Sequence, residues 1–98
     1  MTTKVTVALV ISISLLLTLP PPARAKDDCL KAARLSDEAS DLVQTNAAAA
    51  AGKLREAISL CNTSASLYYN LSMALYRQSR LPDAEAELEK SIKINPEL

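Results

Sequence analysis

Cys29 and Cys61 are the residues whose type alone announces chemistry, because a thiol pair can be a disulfide, a redox couple or half of a metal site. Most of these options close quickly. The sequence has no histidine, which removes the usual general base and the usual zinc ligand. Two widely separated cysteines with no other soft ligand do not build a metal site, and without a Cys-x-x-Cys pair they do not suggest a redox enzyme. A single glycine excludes a glycine-rich phosphate loop. The acidic run Asp83, Glu85, Glu87 and Glu89 stands where a helix begins, so it reads as dipole compensation and a solvated face rather than as catalytic carboxylates. Asn62-Thr63-Ser64 and Asn70-Leu71-Ser72 match the glycosylation sequon, the second inside a helix, where an acceptor is poorly placed. No catalytic residue, cofactor or metal is expected.

The elements that position these residues begin after a leader. Met1–Lys4 carries one positive charge, Val5–Leu19 is apolar, Pro20-Pro21-Pro22 breaks any helix, and Ala23-Arg24-Ala25 ends in a small-x-small site. The apolar run is shorter than the roughly 20 residues a membrane-spanning helix needs. The expectation is a signal peptide over residues 1–25, cleaved rather than retained as an anchor, and an exported chain, periplasmic or secreted. Lys26-Asp27-Asp28 before Cys29 does not suit lipid attachment. Loss of Lys4 and Arg24 takes 11 basic residues to 9 against 11 acidic ones, a formal charge of −2. That balance argues against nucleic acid and against anionic membrane as partners.

Beyond the leader the spacing of apolar residues is helical throughout, with no alternating β-branched run and no hairpin dipeptide. It predicts a first helix from Asp27 or Asp28 through Leu30, Leu35, Ala39 and Leu42 into the Ala47–Ala51 tract, ended by Gly52 in the left-handed conformation. A short second helix follows from Leu54 to Cys61, then a third from Ala65 to Ser79, with Asn62-Thr63-Ser64 supplying its cap. Arg80 and Leu81 form a turn, Pro82 opens a fourth helix, and Asn95-Pro96 stops it near Ile94. The third helix should bury Tyr68, Leu71, Leu75 and either Ala74 or Tyr76. The fourth should bury Ala84, Leu88, Ser91 and Ile92. With no Phe or Trp and many alanines, the core is expected to be thin and the monomer marginal.

On such helices the two thiols do not meet easily. In an unbroken first helix Cys29 lies about 33 Å from the Gly52 turn and Cys61 about 14 Å from it, whereas a disulfide needs Cα atoms within about 7 Å. An intramolecular bond requires the first helix to break, near Ser36-Asp37 or at Thr45-Asn46. Intermolecular pairing and free thiols are the alternatives.

The segment Tyr68-x2-Leu71-Ser72-x2-Leu75, Ala84-x3-Leu88, Ser91, Pro96 resembles one tetratricopeptide repeat, whose pattern runs W-x2-L-G-x2-Y, A-x3-F, P over about 34 residues. Ser72 replaces the usual Gly, and Leu75 and Leu88 stand where aromatics are common. The resemblance implies an all-α fold of two stacked antiparallel helical hairpins, a fragment of an α-α superhelix. Residues 64–98 form the repeat-like hairpin and residues 26–63 a degenerate or capping hairpin. Setting Ala57 against Ala84, only 27 residues on, implies that the second helix of the first hairpin is about two turns short.

The resemblance also implies a ligand groove lined by the first helix of each repeat, here Ser66, Tyr69, Asn70, Met73, Tyr76 and Arg77. Asn70 and Arg77, two turns apart, could hold a peptide carboxylate or backbone, with Tyr69 and Met73 as apolar contacts and Lys31 or Arg34 as further basic groups. The expected function is therefore a non-catalytic protein-binding or assembly module with a protein or peptide partner. Arrays of this kind usually cover their last hairpin with a further helix. The alternatives are thus a homodimer through the last hairpin, docking on another chain, or an accessory or truncated subunit that folds only when that hairpin is covered.

Overall fold

The computed structural model describes residues 22–97. Four helices follow one another: α1 Pro22–Leu42, α2 Ala47–Leu60, α3 Ala65–Arg77 and α4 Leu81–Ile94, with no strand among the described residues. α1 packs along α2, α2 along α3, and α3 along α4; α1 only brushes α3, and among the described residues α4 touches no helix but α3. This is the expected all-α architecture of packed helical hairpins. Among the described residues no helix is long and apolar enough to cross a membrane.

The first helix departs from expectation at both ends. It is already helical at Pro22, the first described residue, ahead of Asp27 and Asp28, and Ala23-Arg24-Ala25-Lys26 are good helix formers. The expected leader otherwise lies outside the described residues. At its other end α1 stops at Leu42, not at Gly52. Asn46 is the reason: its side chain accepts the Ala49 amide at 3.1 Å and caps α2, while its own amide donates to the Leu42 carbonyl at 2.7 Å. Gly52 lies inside α2 without a positive φ. A glycine there costs only about 1 kcal/mol relative to alanine, too little to outweigh a cap and a buried alanine face.

The break at Asn46 lengthens the second helix and changes the register. α2 and α4 are both 14 residues long and start at Ala47 and Leu81, 34 residues apart. Ala50, Leu54 and Ala57 are therefore the counterparts of Ala84, Leu88 and Ser91; the pairing of Ala57 with Ala84 and the shortened helix are corrected. Burial places Ala32, Ala39 and Leu42 opposite Ala65, Ser72 and Leu75, an offset of 33, so the first hairpin has one residue fewer at its turn.

The connection after α3 is Gln78–Arg80 rather than Arg80-Leu81. Ser79 adopts φ 60°, its amide donates to the Tyr76 carbonyl at 2.9 Å, and the Arg80 amide reaches the Leu75 carbonyl at 3.0 Å. These two bonds make a Schellman ending with serine in the left-handed position usually given to glycine.

The core is narrow because it is made of alanine. Ala32, Ala39, Ala50, Ala51, Ala57 and Ala74 surround Leu54, Leu67, Leu71 and Leu75. Small side chains let the helix axes approach closely, and Ser91 adds a buried hydrogen bond to the Ala65 carbonyl at 2.9 Å that ties α4 to α3. Ala74, not Tyr76, completes the buried face of α3, and Tyr68 is half-buried. Its hydroxyl donates to the Asn62 carbonyl, with Lys90 above its ring at 5.9 Å. Leu88 and Ile92 are not inside: they are 36% and 50% exposed, since no described element packs on the far side of α4.

Candidate functional site

Breaking α1 at Asn46 brings the two cysteines together. Folded back, α1 sets Cys29 beside the C-cap of α2, and the structure joins Cys29 to Cys61 with Cα atoms 5.0 Å apart. Cys61 is buried while Cys29 stays exposed. The bond closes the end of the first hairpin away from its turn, and nearer that turn Lys53 donates to Glu38 at 2.8 Å. That hydrogen bond, reinforced by the carboxylate charge, holds the Lys53 ammonium above its ordinary pKa. Both cysteines are consumed in the bond, which leaves no free thiol among the described residues.

Four of the six expected groove residues line two surfaces, and Tyr69 and Arg77 line neither. Ser66, Asn70 and Met73 face α1. Ser66 lines a cleft of about 350 Å³ with Ala33, Ser36, Asp37 and the disulfide. Asn70 is half-buried and donates to the Ser36 hydroxyl at 3.1 Å, so its amide is already engaged in joining α3 to α1. Below it Ala39, Ser40, Val43 and Leu54 line a cleft of only about 100 Å³, roofed by Asn70 and Met73. Tyr69 is 40% exposed on the surface of α3, and Arg77 is exposed with no ion pair among the described residues. Lys31 and Arg34 are both exposed on α1.

Tyr76 belongs to the second surface and Met73 to both. With Ser72, Leu81, Ala84, Glu85 and Leu88 they line a groove of about 440 Å³ between α3 and α4, predominantly apolar. Leu81, Glu85 and Leu88 were not among the expected binding residues. Their signal was present, since 81, 85, 88 and 92 fall on one helical stripe, but Leu88 and Ile92 were assigned to the core.

What this arrangement can do chemically is limited. Among the described residues there is no group of three potential metal ligands, and no buried polar side chain lacks a partner. The surfaces are built to hold apolar and hydrogen-bonding groups. Residues 65–98, covering α3 and α4, match the family model of the tetratricopeptide repeat. With the four-helix architecture, this supports a tetratricopeptide-repeat-like protein. No curated protein and no solved structure matches the chain.

Proposed function

We propose that this chain is an exported, non-catalytic protein-binding or assembly module of the tetratricopeptide-repeat type. The match of residues 65–98 to that repeat carries the reading, because such hairpins present side chains to other polypeptides. Two surfaces of α3 support it: the face toward α1, with Ser66, Asn70 and Met73, and the groove toward α4, with Tyr76. Arg77 and Tyr69 are exposed on the same helix and offer a cation and an aromatic ring. Export rests on the leader composition and agrees with the Cys29–Cys61 bond, since disulfides persist in the periplasm and outside the cell.

The open far side of α4 favours a second reading, an accessory subunit whose last hairpin is completed by another chain. Circular dichroism with light scattering over a dilution series separates the two. A helical monomer at every concentration supports a self-sufficient module, whereas helix lost on dilution supports the subunit. For the module, pull-down with Asn70→Ala and Arg77→Ala tests the α3 face; capture unchanged by either variant counts against it. The mass of the exported product tests removal of residues 1–25.

A further inference from the structure

The internal repetition of the chain says what the α3/α4 groove is shaped to hold. In the first hairpin Ala39, Ser40, Val43 and Leu54 form a wall that Asn70 and Met73 of α3 roof, leaving about 100 Å³; Ala39 and Leu54 are buried and Ser40 stays exposed. Their counterparts by the offsets above are Ser72, Met73, Tyr76 and Leu88. All four line the 440 Å³ groove; Ser72 is buried at its floor, while Met73, Tyr76 and Leu88 are exposed with no described element over them. Leu54 is buried where Leu88 is exposed, so the same position of the wall is covered once and open once, and what covers it in the first hairpin is a helix. That helix, α3, buries the stripe Leu67, Leu71 and Ala74.

Charge selects among the helices that could do this. Ala51, buried under α3, has Glu85 as its counterpart, and Glu89 stands one turn further along α4. Asp83 is paired with Arg80 and Glu87 with Lys90, but neither Glu85 nor Glu89 has a cation within ion-pair distance among the described residues. A second copy suits this edge badly. Two α4 helices face to face would bring the acidic rows together. Head-to-tail stacking would lay α1 on the groove, where the counterparts of Leu67, Leu71 and Ala74 are Arg34, Glu38 and Asp41, all exposed and charged. The α1 end is a polar cap; the α4 end is not.

We propose that the α3/α4 groove receives an amphipathic helix of another polypeptide, with apolar side chains in the spacing of Leu67, Leu71 and Ala74 and basic residues along the edge facing Glu85 and Glu89. The proposal rests on the protein-binding reading above and names the partner's chemistry. Its apolar anchors are Tyr76, Leu81 and Leu88, and its polarity determinant is Glu85.

The probe is a helix-stapled, dye-labelled peptide of sequence Ala65–Arg77, with a second version carrying Tyr68→Lys and Asn70→Lys, one lysine at each side of the stripe. Fluorescence anisotropy against the whole protein should show the lysine version binding about tenfold or more tighter at low salt, a gap that closes as salt rises. Leu88→Asp should abolish binding and Glu85→Lys should remove the preference for lysine. Arg55→Ala, on the exposed face of α2, should leave binding unchanged. Leu88 and Glu85 are exposed, so circular dichroism of both variants should match the parent. Binding that survives Leu88→Asp, absence of binding by either peptide, or a dimer by light scattering that Leu88→Asp dissociates would each overturn the proposal. If pull-down through the α1-facing surface of α3 succeeds while Leu88→Asp is neutral, the general reading stands and only this assignment fails.

Discussion

In the first hairpin Leu54 is 2% exposed; in the second its counterpart Leu88 is 36% exposed, at the same position of a helix of the same length. The two side chains are identical and their local helices nearly so. The difference is made by the neighbour, because α3 lies over α2 and no described element lies over α4. Each hairpin also closes in its own way. A disulfide and the Lys53–Glu38 pair fasten α1 to α2, while the buried Ser91–Ala65 hydrogen bond and close small-residue contacts fasten α3 to α4. The repeat pattern therefore specifies how a hairpin folds upon itself, and the stability of each copy depends on what comes next to it.

The largest effect should come from the fastening of the first hairpin. Replacing Cys29 and Cys61 by Ser should cost about 3–4 kcal/mol, the loop entropy released in the unfolded chain by a bond spanning 32 residues. Urea unfolding with and without reductant measures it. Hydrogen exchange should then accelerate along α1 well before it does in α3, because among the described elements α1 has only α2 as an extensive partner. Uniform acceleration in all four helices would instead mean that the hairpins unfold as one unit.

Next in size is the contrast between the two leucines. Leu54→Ala should cost about 2–4 kcal/mol, since it leaves a cavity under α3. Leu88→Ala should cost less than about 1 kcal/mol because its side chain already meets water. Equal losses would show that something covers α4 in solution. A partner helix in the groove should raise the cost of Leu88→Ala toward that of Leu54→Ala.

The second hairpin was legible in the sequence because its repeat residues sit at fixed spacing with no gap, from Tyr68 through Ala84 to Pro96. The first was hidden by its own alanines. Ala50-x3-Leu54-x2-Ala57 carries the same spacing as Ala84-x3-Leu88-x2-Ser91, yet in the tract Ala47–Ala51 any register looks alike, and Gly52 offered a false stop. Glycine favours a helix end only if the chain must turn there, and Asn46 had already supplied a side-chain cap six residues earlier. A helix running to Gly52 would keep Cys29 away from Cys61, so the disulfide is hidden by the same alanine tract. The candidate site was half legible. The repeat resemblance pointed to Asn70 and Met73 as groove residues, but no local pattern reveals that Asn70 faces α1 and is held by Ser36, 34 residues before it. Nor does periodicity alone say whether an apolar stripe such as Leu81, Leu88 and Ile92 is covered.

Smaller effects test the helix ends. Asn46→Ala should destabilise by about 1 kcal/mol through loss of the α2 cap. α4 has no side-chain cap at the equivalent Arg80, so Arg80→Ala should cost less, leaving chiefly the exposed pair with Asp83 to be lost. Ser79→Gly should stabilise by roughly 0.5–1 kcal/mol by relieving a left-handed serine. Thermal melts of the three variants give the order directly, and a destabilised Ser79→Gly would mean that the serine side chain contributes more than its backbone strain costs.

The smallest comparison is also the most direct test of the corrected register. Gly52 in α2 and Ala86 in α4 are 34 residues apart, both exposed and both mid-helix. A Cβ added at Gly52 meets nothing within 4 Å. Gly52→Ala should therefore stabilise by about 0.5–1 kcal/mol, and Ala86→Gly should destabilise by a similar amount, because only helix propensity changes at either site. The double variant should return close to the parent. If Gly52 instead ended a helix in the left-handed conformation, alanine there would be strained and Gly52→Ala would lower stability. The sign of that one substitution thus decides whether the first hairpin turns at Asn46, which is also the fold that allows Cys29 to reach Cys61.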